Sequence, residues 1–134
     1  MEPVEPAMVP TDTVEDAMTL SAEKCVACRR DSPLVADEEV PALHQQVSDW
    51  ELKQVEGIKR LARTYSFRDF AGALDFTRQV GEAAEAEGHH PKLTTEWGRV
   101  RVEWWTHKIK GLHRNDFIMA AKTDGLYAGS SGPG

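Results

Sequence analysis

Three of the chain's five histidines stand where a fold can gather them. His89 and His90 are adjacent, directly after Gly88 and before Pro91, and His107 lies further along. Imidazole is the side chain that changes charge near neutral pH. A neutral imidazole accepts a proton while a protonated one donates, so such a set suits general acid/base catalysis. Glu85 lies one helical turn before His89 and Asp116 lies at the start of the last predicted helix, so both carboxylates can border the same spot. No Ser or Cys sits in a nucleophile-elbow context, and no glycine-rich loop of the phosphate-cradling kind is present.

The same residues have plainer readings. A His pair before a proline can simply close a helix end and bond to carbonyls. Three histidines can also hold zinc, although adjacent side chains point different ways and chelate awkwardly. Asp116 reads equally as a helix-start acid favoured by the dipole, Glu85 as a surface residue, and Trp50 as core. His44 and His113 are read as structural.

The elements that must position the histidines follow from periodicity. Asp37–Val47 reads as a short helix, with Val40, Leu43 and Val47 at helical spacing and Pro41 near its start. Trp50–Val55 and Ile58–Tyr65 read as strands joined by Glu56-Gly57, a hairpin-compatible turn. Ser66 followed by Asp69 predicts a capping box. Phe70, Ala73, Leu74, Thr77, Val80 and Ala84 then form one helical stripe, stopped by Gly88.

Leu93–Trp97 and Arg99–His107, around Gly98, read as a second hairpin. Its second strand places Val100, Val102 and Trp104 on one side, and Arg101, Glu103, Trp105 and His107 on the other. A last helix spans about Arg114 to Lys122. The predicted fold is α+β, α-β-β-α-β-β-α: a four-stranded antiparallel sheet in a two-layer sandwich with three helices on one face. A hairpin returns the chain beside its own start, so the His89-His90 end and the His107 end should share one sheet edge.

Composition bounds the class. A chain of 134 residues, 40% hydrophobic and 28% charged, fits one globular domain. The net charge of −6 resides in residues 1–23, which hold six acids and no Lys or Arg; the remaining 16 acids balance the 16 bases. That segment, with Pro3, Pro6 and Pro10, reads as an acidic, disordered leader without a signal peptide's basic start. Residues 24–127 form the domain and 128–134 a flexible tail. The balanced body offers no basic footprint for nucleic acid, and no apolar run reaches membrane-span length. Cys25-Val26-Ala27-Cys28 is a CxxC lacking a second pair, read as two reduced thiols, with a labile disulfide or a metal shared across subunits as rivals. Two cysteines fit a cytoplasmic protein.

The arrangement Glu85, then Gly88-His89-His90-Pro91, Trp97, His107 and Asp116 resembles the signature of pterin-4a-carbinolamine dehydratases. Trp50-Glu51, Phe67-Arg68-Asp69-Phe70, Thr106-His107, Gly111-Leu112 and Lys24-Cys25-Val26-Ala27-Cys28 resemble further family segments. The likeness covers about residues 24–124. Three positions depart from the pattern: Asp49 and Gly88 replace a usual Gly and a usual Asp or Asn, and His113 replaces a Ser or Thr cap, at an expected cost of about 1 kcal/mol.

The resemblance implies the same sheet-and-helix fold, a homodimer or homotetramer, and dehydration of 4a-hydroxytetrahydropterin with no metal or cofactor. It implies a link to aromatic amino acid hydroxylases, whose cofactor this reaction recycles. It assigns acid/base and orienting roles to His89, His90 and His107. Glu85, Pro91, Asp116 and Trp50 become substrate-site residues, with Trp50 an aromatic wall for the pterin. Two other functions compete with the lyase: a non-catalytic pterin- or protein-binding module of the same fold, and a zinc-dependent hydrolase.

Overall fold

The structure, a computed structural model, describes residues 20–25 and 33–129. Its elements are α1 (Val40–Gln46), β1 (Glu51–Val55), β2 (Ile58–Ser66), α2 (Phe70–Glu87), β3 (Lys92–Glu96), β4 (Arg99–Trp104) and α3 (Arg114–Ala128), with a 3-10 turn at His107–Ile109. The four strands form one antiparallel sheet in the order β1-β2-β4-β3. Glu56 and Gly57 both take positive φ (54° and 81°), the twist that suits a tight hairpin turn.

Alternation along the strands separates a covered face from an open one. Leu61 and Tyr65 of β2 pair with Trp104 and Val100 of β4, and all four are buried. Helix α2 lays Ala73, Phe76, Val80 and Ala84 against this face, and α3 adds Phe117, Ile118 and Ala120. Aromatic rings fill one end: Tyr65 lies 4.6 Å from Tyr127 and 4.9 Å from Phe76, centroid to centroid. Such rings supply the largest burial per residue and favour tilted contacts. The opposite face carries Arg60, Ala62 and Thr64 against Glu103 and Arg101.

Several boundaries differ from the sequence expectation. The N-cap of α2 is Asp69, whose carboxylate accepts from the Gly72 N–H at 2.9 Å; Ser66 still belongs to β2, paired with Arg99. The buried stripe of α2 includes Phe76, whereas Phe70 and Leu74 are exposed. Strand β4 ends at Trp104, not His107: its pairing with β2 stops at Leu61, and Thr106 bridges Gly111 locally instead. Helix α3 runs past Lys122 to Ala128, since Thr123 lies in the core and its hydroxyl accepts from Trp104 Nε1.

The leader's end is not loose. Leu20 is fully buried, Glu23 pairs with Arg114, and the Cys25 N–H donates to Glu87. Residues 1–19, Cys28 and the tail's 130–134 lie outside the described residues, so the disordered leader and the CxxC remain expectations there. Among the described residues, no helix is long and apolar enough to cross a membrane.

Candidate functional site

The site is built by two chain ends meeting. Lys92, the first residue of β3, pairs with Glu103 of β4. Residues just before Lys92 therefore stand beside residues just after Glu103. That places His89 and His90 next to Thr106 and His107, as a returning hairpin requires. Gly88, His89, His90, Thr106, His107 and Lys108 line one open cleft of about 280 Å³.

Gly88 controls how the His pair enters it. It takes the left-handed conformation (φ 65°) after α2, where glycine escapes the Cβ penalty. The His89 N–H then bonds back to the Ala84 carbonyl at 3.1 Å. The turn sends the two neighbours in opposite directions. His89 is only 7% exposed, while the His90 side chain is 62% exposed.

His89 is fixed on two sides. Its ring stacks on the buried Trp104 at 5.6 Å and 8°. Its Nε2 lies 2.6 Å from Asp116 Oδ1. The other Asp116 oxygen accepts from the Thr106 hydroxyl at 2.7 Å and the His113 backbone N–H at 2.9 Å. A carboxylate only accepts, so His89 donates from Nε2, which in the neutral ring leaves Nδ1 as the acceptor. Asp116 is 0% exposed and sits behind His89, not on the cleft wall. His90 Nε2 lies 2.6 Å from Glu85 Oε1, an exposed pair of which only His90 lines the cleft. His107 is exposed, heads the 3-10 turn and stacks on Trp105 at 4.5 Å and 18°.

None of the four residues expected beside the histidines lines this cleft: Asp116 lies behind His89, Glu85 only pairs with His90, and Trp50 and Pro91 stand elsewhere. Trp50 is not an aromatic wall of this cleft: it is 1% exposed, in the core, and its Nε1 donates to Asp124 at 3.0 Å. It lies on the covered face, where Arg63 and Tyr65 share the same Asp124 carboxylate. Burial and that neighbouring carboxylate push the Tyr65 hydroxyl far above its ordinary range. Pro91 is half-buried and does not line the cleft; its contribution is to stiffen the chain after the His pair.

His44 is structural, its Nε2 2.6 Å from the Trp50 carbonyl. His113 caps α3, as Nδ1 accepts from the Asn115 N–H at 3.0 Å. With Asp116 accepting from the His113 N–H, the cap is reciprocal, so imidazole does the work expected of Ser or Thr. Thr106, Lys108 and the two tryptophan platforms escaped the sequence reading. The alternation had put Trp104 and Trp105 on opposite sheet faces, which is the available clue to both. Among the described residues, no three His, Cys, Asp or Glu side chains converge as metal ligands.

His113 gives a pH prediction. Burial holds its pKa below the ordinary value, against the opposing pull of Asp116, and nearby His89 lowers it further. The unfolded chain then takes up a proton at His113 more readily than the folded one. Its contribution to stability is complete above about pH 6.5 and is lost as pH falls below that, toward the lower folded value. In urea melts at pH 7.5 and 5.5, His113→Asn, a capping residue that does not titrate, should show a smaller drop than the unaltered chain. Equal drops would contradict the assignment.

A cleft lined by three histidines on a helix-backed antiparallel sheet defines a small α+β protein. The comparisons narrow the class. The family described as pterin 4 alpha carbinolamine dehydratase matches residues 33–126, and this chain belongs to that family.

It is 57% identical over 107 residues to a Syntrophotalea carbinolica protein provisionally named pterin-4-alpha-carbinolamine dehydratase, covering 80% of this chain and 96% of the relative. A protein of the same provisional name from Chlorobium limicola is 62% identical over 106 residues, covering 78% and 93%. A crystal structure described as transcriptional coactivator/pterin dehydratase from Brucella melitensis superposes with a TM-score of 0.63 at 28% identity, over 70% of this chain and 98% of that one. A pterin dehydratase-like RuBisCO assembly factor of the alpha-carboxysome shares the fold at 21% identity, with a TM-score of 0.51 over 62% of this chain and 93% of that one.

Proposed function

We propose that the protein is a lyase that dehydrates 4a-hydroxytetrahydropterin to quinonoid dihydropterin and water. The carrying observation is that His89, His90 and His107 line one cleft in a chain of this family. In the reaction the C4a–O bond breaks, N5 gives up its proton and a C4a=N5 double bond forms. One protonated imidazole delivers a proton to the departing hydroxyl and one neutral imidazole takes the proton from N5, so the pair ends with its charges exchanged.

His89 and His107 carry the proton transfers in this reading. His90, held by Glu85, orients the 4a-hydroxyl. Asp116 acts through His89, fixing its ring and tautomer as a partner carboxylate does for a catalytic imidazole. The reading extends to a homo-oligomer in the cytoplasm, recycling the cofactor of an aromatic amino acid hydroxylase, with pterin as its ligand and no metal.

Stopped-flow absorbance of 4a-hydroxytetrahydropterin decay tests it. The purified chain should speed the decay well beyond buffer alone. A rate equal to buffer would sink the enzyme reading and favour a binding module. That second reading draws on two fold neighbours, one described as a coactivator as well as a dehydratase and one as an assembly factor.

A further inference from the structure

The three histidines of the cleft are supported unequally. His89 and His90 each lie against a carboxylate. Among the described residues, no hydrogen bond reaches the His107 ring; what it has is the face of Trp105. A stack on a mobile indole would fix nothing, so the question is what holds Trp105.

The answer lies on the open sheet face. The Arg60 guanidinium carbon sits 3.8 Å from the Trp105 ring centroid. Two flat groups so close to one centroid cannot share a face, so guanidinium and imidazole take opposite sides of the indole. Arg60 comes from β2 and is only 8% exposed. It donates from Nη1 to Glu103 Oε1 of β4 at 3.1 Å. Its Nε is buried without a hydrogen-bond partner. An arginine held chiefly by its carboxylate would spend that N–H in a forked bond. Here the guanidinium carbon lies over the indole ring instead, as a cation over an aromatic face does.

We propose that Arg60 and Trp105 are positioning residues for His107, forming a column from Glu103 through guanidinium and indole to the imidazole. The column deepens the dehydratase reading and rests on it for its catalytic meaning. It gives the open sheet face a role as the back wall of the site. Neither residue touches the cleft directly, and both act through the orientation of His107.

The test uses Arg60→Met, Trp105→Leu and Trp105→Phe in the full chain. Arg60→Met is chosen because Glu103 keeps Lys92 at 3.9 Å and Arg101 at 3.7 Å, so no buried carboxylate is stranded. Two readouts are taken: the NMR shifts of the His107 ring C–H protons, which the stacked indole moves upfield, and kcat and KM for 4a-hydroxytetrahydropterin.

Arg60→Met should return the His107 shifts most of the way to those of an unstacked histidine and lower kcat about tenfold or more, with KM within about twofold. Trp105→Leu should do the same, and Trp105→Phe, which restores a flat face, should recover most of the loss. Wild-type shifts and kcat in Arg60→Met would overturn the proposal. So would a Trp105→Phe protein as impaired as Trp105→Leu. If the unaltered chain has no dehydratase activity, the functional reading fails, while the NMR arm still decides whether Arg60 holds the column.

Discussion

His89→Ala is expected to dehydrate 4a-hydroxytetrahydropterin about 10²-fold or more slowly than the unaltered chain, the usual cost of losing a general acid or base. The argument is geometric. His89 is the buried member of the set, clamped between Trp104 and Asp116, so its ring reaches the cleft in one orientation and one tautomer. Water admitted by the alanine can carry protons but lacks that placement. His107→Ala should show a loss of the same order, because two separate imidazoles are needed for two separate protons. Single-turnover rates on folded variants, checked by circular dichroism, make the comparison. Both variants at wild-type speed would remove these histidines from the chemistry.

The largest expected effect on stability belongs to Asp116→Ala. One fully buried carboxylate takes donors from three segments: the His89 ring after α2, the Thr106 hydroxyl after β4 and the His113 N–H at the start of α3. Removing it strands three buried donors at once and leaves the start of α3 without its acid. Each stranded buried donor costs about 1–3 kcal/mol, though such costs overlap. A loss of about 3–5 kcal/mol in urea unfolding is therefore expected. A change below about 1 kcal/mol would show that the three donors find other partners.

The fold was legible because each level of the sequence agreed with the next. Glu56-Gly57 and Gly98 marked two hairpins, the strands between them alternated cleanly, and Gly88 ended the long helix, so sheet and helices followed. The convergence of the three histidines followed from hairpin geometry alone. What stayed hidden depended on partners distant in sequence. Trp50 reads as core from its own residue context and as a pterin wall only from the resemblance; its indole partner, Asp124 on the last helix, lies 74 positions away. Asp116 was placed on the pocket rim because its position on a helix start does not reveal that α3 packs its first turn inward. The cap of α2 was misplaced by three residues because Ser66 had a stronger claim, its pairing in β2.

The reversal at Gly88 also gives two adjacent residues different exposure to dissolved salt. His90 and Glu85 meet in solvent, where dissolved ions screen the pair whenever the imidazole is protonated. His89 and Asp116 meet in the interior, out of reach of that ion atmosphere. Added sodium chloride thus loosens one neighbour's carboxylate tether and spares the other's.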